Sequence, residues 1–226
     1  MRPRLFVDMD GTLAEWRSFV IRIDKAEDAE QTEFLKRLDA ILYSNHYYYN
    51  LRPQMRVVDA IRNIVLQGEI EVFVLSCVKE DKYGQSPRKD KDMWLNKYLP
   101  EIDTAHRIYV PDGEDKTLYI PGGIQPTDAL LDDYSKNLRD WEARQRINGR
   151  NSLAIKLCNA VNSSKGTWKG NRVSYAFAPT LIAEDVSDVV RSEGFIEVHH
   201  EEPEKHREGI TDEEFLANVP EGDDYE

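Results

Sequence analysis

The feature that most constrains this chain is a series of short apolar runs that turn polar at their C-terminal ends and are separated by stretches with helical periodicity. Leu5-Phe6-Val7 is the first, entered from Pro3-Arg4 and ending in Asp8, Asp10 and Gly11. Segments 70–75, 107–110, 129–131 and 153–158 repeat the pattern. Between them, Met55, Val58, Ile61, Ile64 and Val65 mark an amphipathic helix that stops at Gly68, where a left-handed cap is natural. Segment 91–98 predicts a second helix, stopped by Leu99-Pro100, and a polar helix runs on to about Arg146. Strands alternating with helices predict an α/β fold, a doubly wound and mostly parallel sheet wound by right-handed crossovers. An edge strand is expected over 173–177. Thr211-Asp212-Glu213-Glu214 is a capping box for a short helix over 211–219.

One stretch interrupts the alternation. From Trp16 to Asn50 no strand returns, and Phe34, Leu35, Leu38, Ile41 and Leu42 have helical spacing. The expected organisation is therefore a core of residues 1–15 and 53–200, a helical cap inserted at 16–52, and a tail at 201–226. The tail is acidic, with eleven Asp and Glu against Lys205 and Arg207. The other 200 residues carry 31 acids and 28 bases, so most of the formal charge of −12 is in the tail. A nearly balanced body argues against a nucleic-acid polymer as partner, since that affinity rests on Lys and Arg neutralising phosphates. No apolar run approaches the roughly 20 residues of a membrane span. Cys77 and Cys158 are too few for a disulfide framework, and a soluble protein of the reducing cytoplasm is expected.

In an open α/β sheet, ligands bind beyond the carboxyl ends of the strands. Three such ends present Asp8 and Asp10, Ser76, and Asp132 and Asp133. Four carboxylates in one crevice repel one another and call for a divalent cation, and oxygen-only ligands select magnesium. A carboxylate there can attack phosphorus while a second acid protonates the leaving oxygen and then activates water. Asp8 suits the nucleophile and Asp10 the acid/base, with the turn at Gly11 letting Asp10 swing over the leaving group while its carbonyl meets the metal. A calcium loop is excluded by Leu13, Ala14 and Trp16, which stand where oxygen ligands are needed. A receiver domain also gathers aspartates and a lysine around magnesium, but its acid pair does not sit as Asp-x-Asp on one strand. The five histidines lack zinc-ligand spacing.

Leu5 to Leu13, with its Asp-x-Asp-Gly-Thr, resembles the first motif of the haloacid dehalogenase superfamily, and the later segments are similar to its other motifs in order. Ser76 resembles the second motif, whose hydroxyl and following backbone amide, here that of Cys77, bind phosphoryl oxygens. Lys91 resembles the phosphate-binding lysine of the third. Asp132-Asp133 resembles the fourth, in which the second acid reaches the metal and the first supports it. Asn137 either orients Asp133 or simply begins a helix. Leu51-Arg52-Pro53, Lys91-x-x-Trp94 and Asp115-Lys116-Thr117 look like the 5'(3')-deoxyribonucleotidase group, in which a lysine placed like Lys116 also holds phosphate. Asp132-Asp133-Tyr134 departs from members with arginine after the acid pair.

The resemblance implies a Rossmann-like core, Mg2+ as cofactor, and hydrolysis of a small phosphorylated substrate, most simply a nucleoside monophosphate. A sugar phosphate or other metabolite is the alternative substrate, and a non-catalytic phosphate-binding protein the alternative class. Trp16, Phe19, Tyr43, Tyr47, Tyr48 and Tyr49 are expected to pack the cap, and the alternative is that one or two stack on a nucleobase instead.

Overall fold

A computed structural model of the chain describes residues 2–16, 42–147, 153–159 and 168–192. Its elements run β1 (Arg4–Val7), α1 (Met55–Gln67), β2 (Glu71–Val78), α2 (Pro87–Tyr98), β3 (Arg107–Pro111), β4 (Ala129–Asp132), α3 (Ser135–Ile147), β5 (Ala154–Cys158), β6 (Asn171–Ser174) and α4 (Pro179–Arg191). The six strands form one sheet in the order β3-β2-β1-β4-β5-β6, parallel throughout. This is the doubly wound sheet that the alternation of strands and helices predicts.

Side-chain alternation along the strands decides which helix covers which face. Leu5, Val7, Val72, Val74, Leu131, Ile155 and Leu157 point to one side, where they pack with Val58, Ile61 and Ile64 of α1, Trp94 and Leu95 of α2, and Ile182, Val186 and Val189 of α4. Phe6, Phe73, Leu75, Leu130 and Ala154 point to the other, against Leu138 and Trp141 of α3. Phe6 stacks on Phe73 at 5.2 Å and meets Trp141 at 5.5 Å. The strand order explains the split. A right-handed crossover from β1 toward β2 lies on one face, and one from β4 toward β5, running the opposite way along the sheet, lies on the other.

Several boundaries differ from expectation for local reasons. Pairing with β3 carries β2 on to Val78, with Ser76 opposite Tyr109 and Cys77 opposite Val110, so both lie within the strand. Helix α2 starts at Pro87, where a residue without an N–H is at no disadvantage, and this sets Lys91 in its second turn. The edge strand is Asn171–Ser174, earlier than 173–177. Helix α4 was not expected, although Ile182, Ala183, Val186, Val189 and Val190 have the i, i+4, i+7 spacing of a buried helical stripe.

Most of the expected cap, residues 17–41, lies outside the described residues, as does the 201–226 tail with its expected helix at 211–219. The closing end of the insertion is described. Leu42, Tyr43, Tyr48 and Leu51 are buried in the same apolar cluster as Leu5 and Val7, so this stretch packs as part of the core.

At the opposite edge of the sheet from the strand carboxyl ends, Arg4 clamps the loop that leads into β4. Its guanidinium donates to both carboxylate oxygens of Asp128, at 2.9 and 2.6 Å, and to the carbonyls of Pro121 and Gly123. Asp128 is 1% exposed. Removing the cation from a buried pair costs more than the pair contributes, because the remaining charge loses its compensation. Arg4→Met should therefore lower stability by about 3 kcal/mol, read as a fall in urea midpoint without change in slope; an unchanged midpoint would show that the clamp is not structural.

Candidate active site

The strand order reverses between β1 and β4, and the crevice beyond their carboxyl ends is where a doubly wound sheet binds ligands. The amide of Asp8 donates to the carbonyl of Leu131 at 2.9 Å, placing Asp8 beside Asp132 at the end of β4 and Asp133 just past it. Beyond Asp8 the chain turns sharply. The carbonyl of Met9 accepts the amides of Leu13 and Ala14, and the amide of Gly11 donates to Ala14. Two side chains hold this turn from outside: Gln54 Nε2 donates to the carbonyls of Gly11 and Thr12 at 2.7 and 3.0 Å, and Asn159 Nδ2 donates to Gly11 at 2.7 Å. Gly11 has φ +88°, and a Cβ there would lie 2.4 Å from Asp133 Oδ2. Glycine is thus required both by the backbone and by the approach of Asp133.

Asp8, Asp132 and Asp133 each present a carboxylate oxygen within 4.8 Å of the other two. Lys116, 4% exposed in a 3-10 turn (Lys116–Tyr119), donates from Nζ to Asp8 Oδ1 at 2.6 Å and Asp132 Oδ2 at 2.9 Å. Burial raises the Asp8 carboxyl to about 7, with Lys116 pulling down and Asp132 and Asp10 pushing up. Burial, then Asp132 and Asp8, hold Asp133 well above the ordinary carboxylate range. Burial works against the charge of Lys116, but Asp132 and Asp8 outweigh it and keep the ammonium protonated. One ammonium does not compensate three clustered carboxylates, and the all-oxygen donor set fits a hard divalent cation such as magnesium. Asp132 accepts from Lys116 and Asn137 on Oδ2 and from the amide of Tyr134 on Oδ1. Its oxygens are committed to holding the site together, and Asp8 and Asp133 are the better ligands.

A second ammonium organises the other half. Lys91 is fully buried, and its Nζ donates to Asp10 Oδ2 at 2.5 Å, Ser76 Oγ at 2.9 Å and the carbonyl of Cys77 at 2.7 Å. Its sequence neighbours Arg88 and Lys89 are exposed. Asp10 Oδ1 is buried with no hydrogen-bond partner among the described residues. Burial pushes the Cys77 thiol up to about 11, so it is neutral.

All eight expected site residues therefore meet at this one edge of the sheet. The Asp10 side chain is outside the three-carboxylate cluster and turned to Lys91, and its expected contact with the metal is through its carbonyl. One expectation needs correction. Asn137 orients Asp132 rather than Asp133, from the first turn of α3. Gln54 and Asn159 were missed. Asn159 donates to Asp133 Oδ2 at 3.1 Å as well as to Gly11, and its position just after β5, at the same carboxyl edge as the acids, was the available signal.

No family model matches this chain, and no curated protein does. Among solved structures, it is similar to a Burkholderia xenovorans LB400 protein provisionally described as a haloacid dehalogenase-like hydrolase, at 15% identity and a TM-score of 0.46 over 85% of this chain and 100% of that one. Likeness of that degree transfers no activity.

The raised carboxyl of Asp133 gives a test with a definite sign. A group whose folded pKa is raised adds stability below its unfolded value, about 3.9 for Asp, and that contribution is lost as pH rises through the folded value. At pH 7.5 without divalent cation, Asp133→Asn should melt above wild type, with the difference shrinking toward pH 5. Magnesium should raise the wild-type Tm and leave the variant nearly unmoved. A variant that melts lower than wild type without cation would contradict the charge crowding described above.

Proposed function

We propose that this chain is a magnesium-dependent phosphomonoester hydrolase of the haloacid dehalogenase type. The observation that carries the proposal is the division of labour between the two acids of Asp8-Met9-Asp10. Asp8 lies among the carboxylates with Lys116 on one oxygen, and Asp10 faces Lys91 and the Ser76 hydroxyl across the same crevice. Magnesium, held by Asp8, Asp133 and the carbonyl of Asp10 with Asp132 behind them, would neutralise the carboxylates and the phosphoryl charge. The uncommitted Oδ2 of Asp8 attacks phosphorus, the bond to the leaving oxygen breaks, and Asp10 gives that oxygen its proton. Asp10 then takes a proton from water, whose oxygen attacks the aspartyl-phosphate, releasing inorganic phosphate and restoring Asp8. Lys91, Ser76, the Cys77 amide and Lys116 are the groups placed to hold phosphoryl oxygens. A protein that only bound phosphate would have no use for Asp10 in this position.

The substrate we propose is a nucleoside monophosphate, as in the 5'(3')-deoxyribonucleotidase group, with a sugar phosphate as the second reading. The nucleotidase reading is supported by a contact between two of its sequence signatures: Trp94 Nε1 donates to the carbonyl of Leu51 at 2.8 Å, joining Lys91-x-x-Trp94 to Leu51-Arg52-Pro53. Among the described residues no helix is long and apolar enough to cross a membrane. With a nearly balanced body and two cysteines outside any disulfide, we place the chain in the cytoplasm, acting on a small phosphate ester and not on a polymer or a membrane.

Phosphate release from nucleoside monophosphates and sugar phosphates, with magnesium and with chelator, tests both levels. The expected result is release from nucleoside monophosphates that chelator abolishes. Release from sugar phosphates alone would move the substrate, and no release from any ester would sink the enzyme. Asp8→Asn should lower turnover by roughly three orders of magnitude or more, since an amide is no nucleophile; a near wild-type rate would eliminate the covalent route.

A further inference from the structure

The closing stretch of the insertion contributes something to the phosphate site that none of the four motifs contains. Tyr48 is 3% exposed, and the ammonium of Lys91 lies over its ring, 4.8 Å from the centroid. The ring is fixed on other sides by aromatic neighbours. Trp16 stacks on it at 5.8 Å with an interplanar angle of 9°, and Tyr47 meets it edge-on at 5.3 Å. Tyr47 also meets Trp16 edge-on, at 5.8 Å, so the three rings brace one another. A fourth contact holds the segment in place, because His46 Nδ1 lies 2.8 Å from Asp90 Oδ1, and Asp90 immediately precedes Lys91 on α2.

Lys91 thus has four partners of different kinds: a carboxylate, a hydroxyl, a carbonyl and an aromatic face. The first three belong to strands and to the first turn after β1. Only the aromatic face comes from the insertion. A lysine carries a long flexible stem, and holding its ammonium at one point costs rotamer entropy. A desolvated cation over a ring recovers part of that cost, and a cation already positioned binds an incoming anion more tightly. The ring face is what the residue presents to Lys91.

We infer that Tyr48 is a positioning residue, an aromatic seat that holds the Lys91 ammonium in place for a phosphoryl group and so lets the insertion set phosphate affinity. This deepens the phosphatase reading and rests on it for the identity of the anion. It makes the 42–52 segment part of the phosphate site, in addition to any part the insertion has in admitting substrate. It also gives Trp16 and Tyr47 a role in bracing the seat.

The test compares Tyr48→Phe with Tyr48→Leu in the full-length chain, using two measurements that do not require turnover. The first is the proton shift of the Lys91 ε-methylene, which a ring face moves upfield. That displacement should persist in Tyr48→Phe and disappear in Tyr48→Leu. The second is binding of inorganic phosphate with magnesium by calorimetry. Affinity should stay within about twofold of wild type for Tyr48→Phe and fall about tenfold for Tyr48→Leu, in line with a desolvated cation–π contact. If any substrate is turned over, Tyr48→Leu should raise KM more than it lowers kcat, which a general loss of folded protein would not do.

An absent upfield shift in wild type would overturn the seat, and so would wild-type phosphate affinity in Tyr48→Leu. Equal losses in the two variants would assign the effect to the hydroxyl and overturn it as well. If no ester is hydrolysed but the shift and the phosphate affinities change as stated, the hydrolase reading fails and the seat stands.

Discussion

Compensation of buried charge is the constraint on which the rest of this structure depends. At the carboxyl edge of the sheet Asp8, Lys91, Lys116 and Asp132 are buried and Asp133 is half-buried. Isolated, each would be costly to remove from water. Lys116 between Asp8 and Asp132, and Lys91 against Asp10, turn them into two linked groups, one rich in carboxylates and one built around an ammonium. The imbalance that remains is in the carboxylate group. Its all-oxygen donor set fits a divalent cation.

Much of the surrounding structure holds these groups at fixed separations. Arg4 anchors the end of the loop that carries Lys116, and Gln54 and Asn159 hold the carbonyl of Gly11 from two sides. Trp94, one turn after Lys91 on α2, reaches the carbonyl of Leu51, and Tyr48 lies beneath Lys91 itself. The described closing residues of the insertion are therefore fastened to α2 through His46 on Asp90, Tyr48 on Lys91 and Leu51 on Trp94.

A large share of this was legible in the sequence, for identifiable reasons. Alternation of short apolar runs with helical periodicity specifies a parallel sheet, because parallel strands need crossovers and crossovers need helices. Polar residues at the ends of those runs specify where ligands bind, because all the strands of a parallel sheet present the same end to the same crevice. Asp8, Asp10, Ser76, Asp132 and Asp133 follow from that rule alone. Asn159 obeys it too, after the fifth strand, but a single amide at a strand end carries no charge to draw notice. Helix α4 had the periodicity of a buried helix and went unrecognised because no motif lay near it.

Tertiary structure decided what local sequence does not encode. The direction of the Asp10 side chain depends on a turn held by Gln54 and Asn159, 43 and 148 residues away. Whether Lys91, Arg88 or Lys89 is buried depends on where α2 begins and which of its faces meets the sheet. The placement of Tyr48 depends on residues 42–51 packing against β1 and α2. The sequence by itself determined the sheet, the edge at which the polar residues gather and the acids found there, because these follow from periodicity and chain direction. The pairing of each acid with its own lysine, and the ring beneath Lys91, required the fold, because charges and faces far apart in the chain meet only when the core is packed.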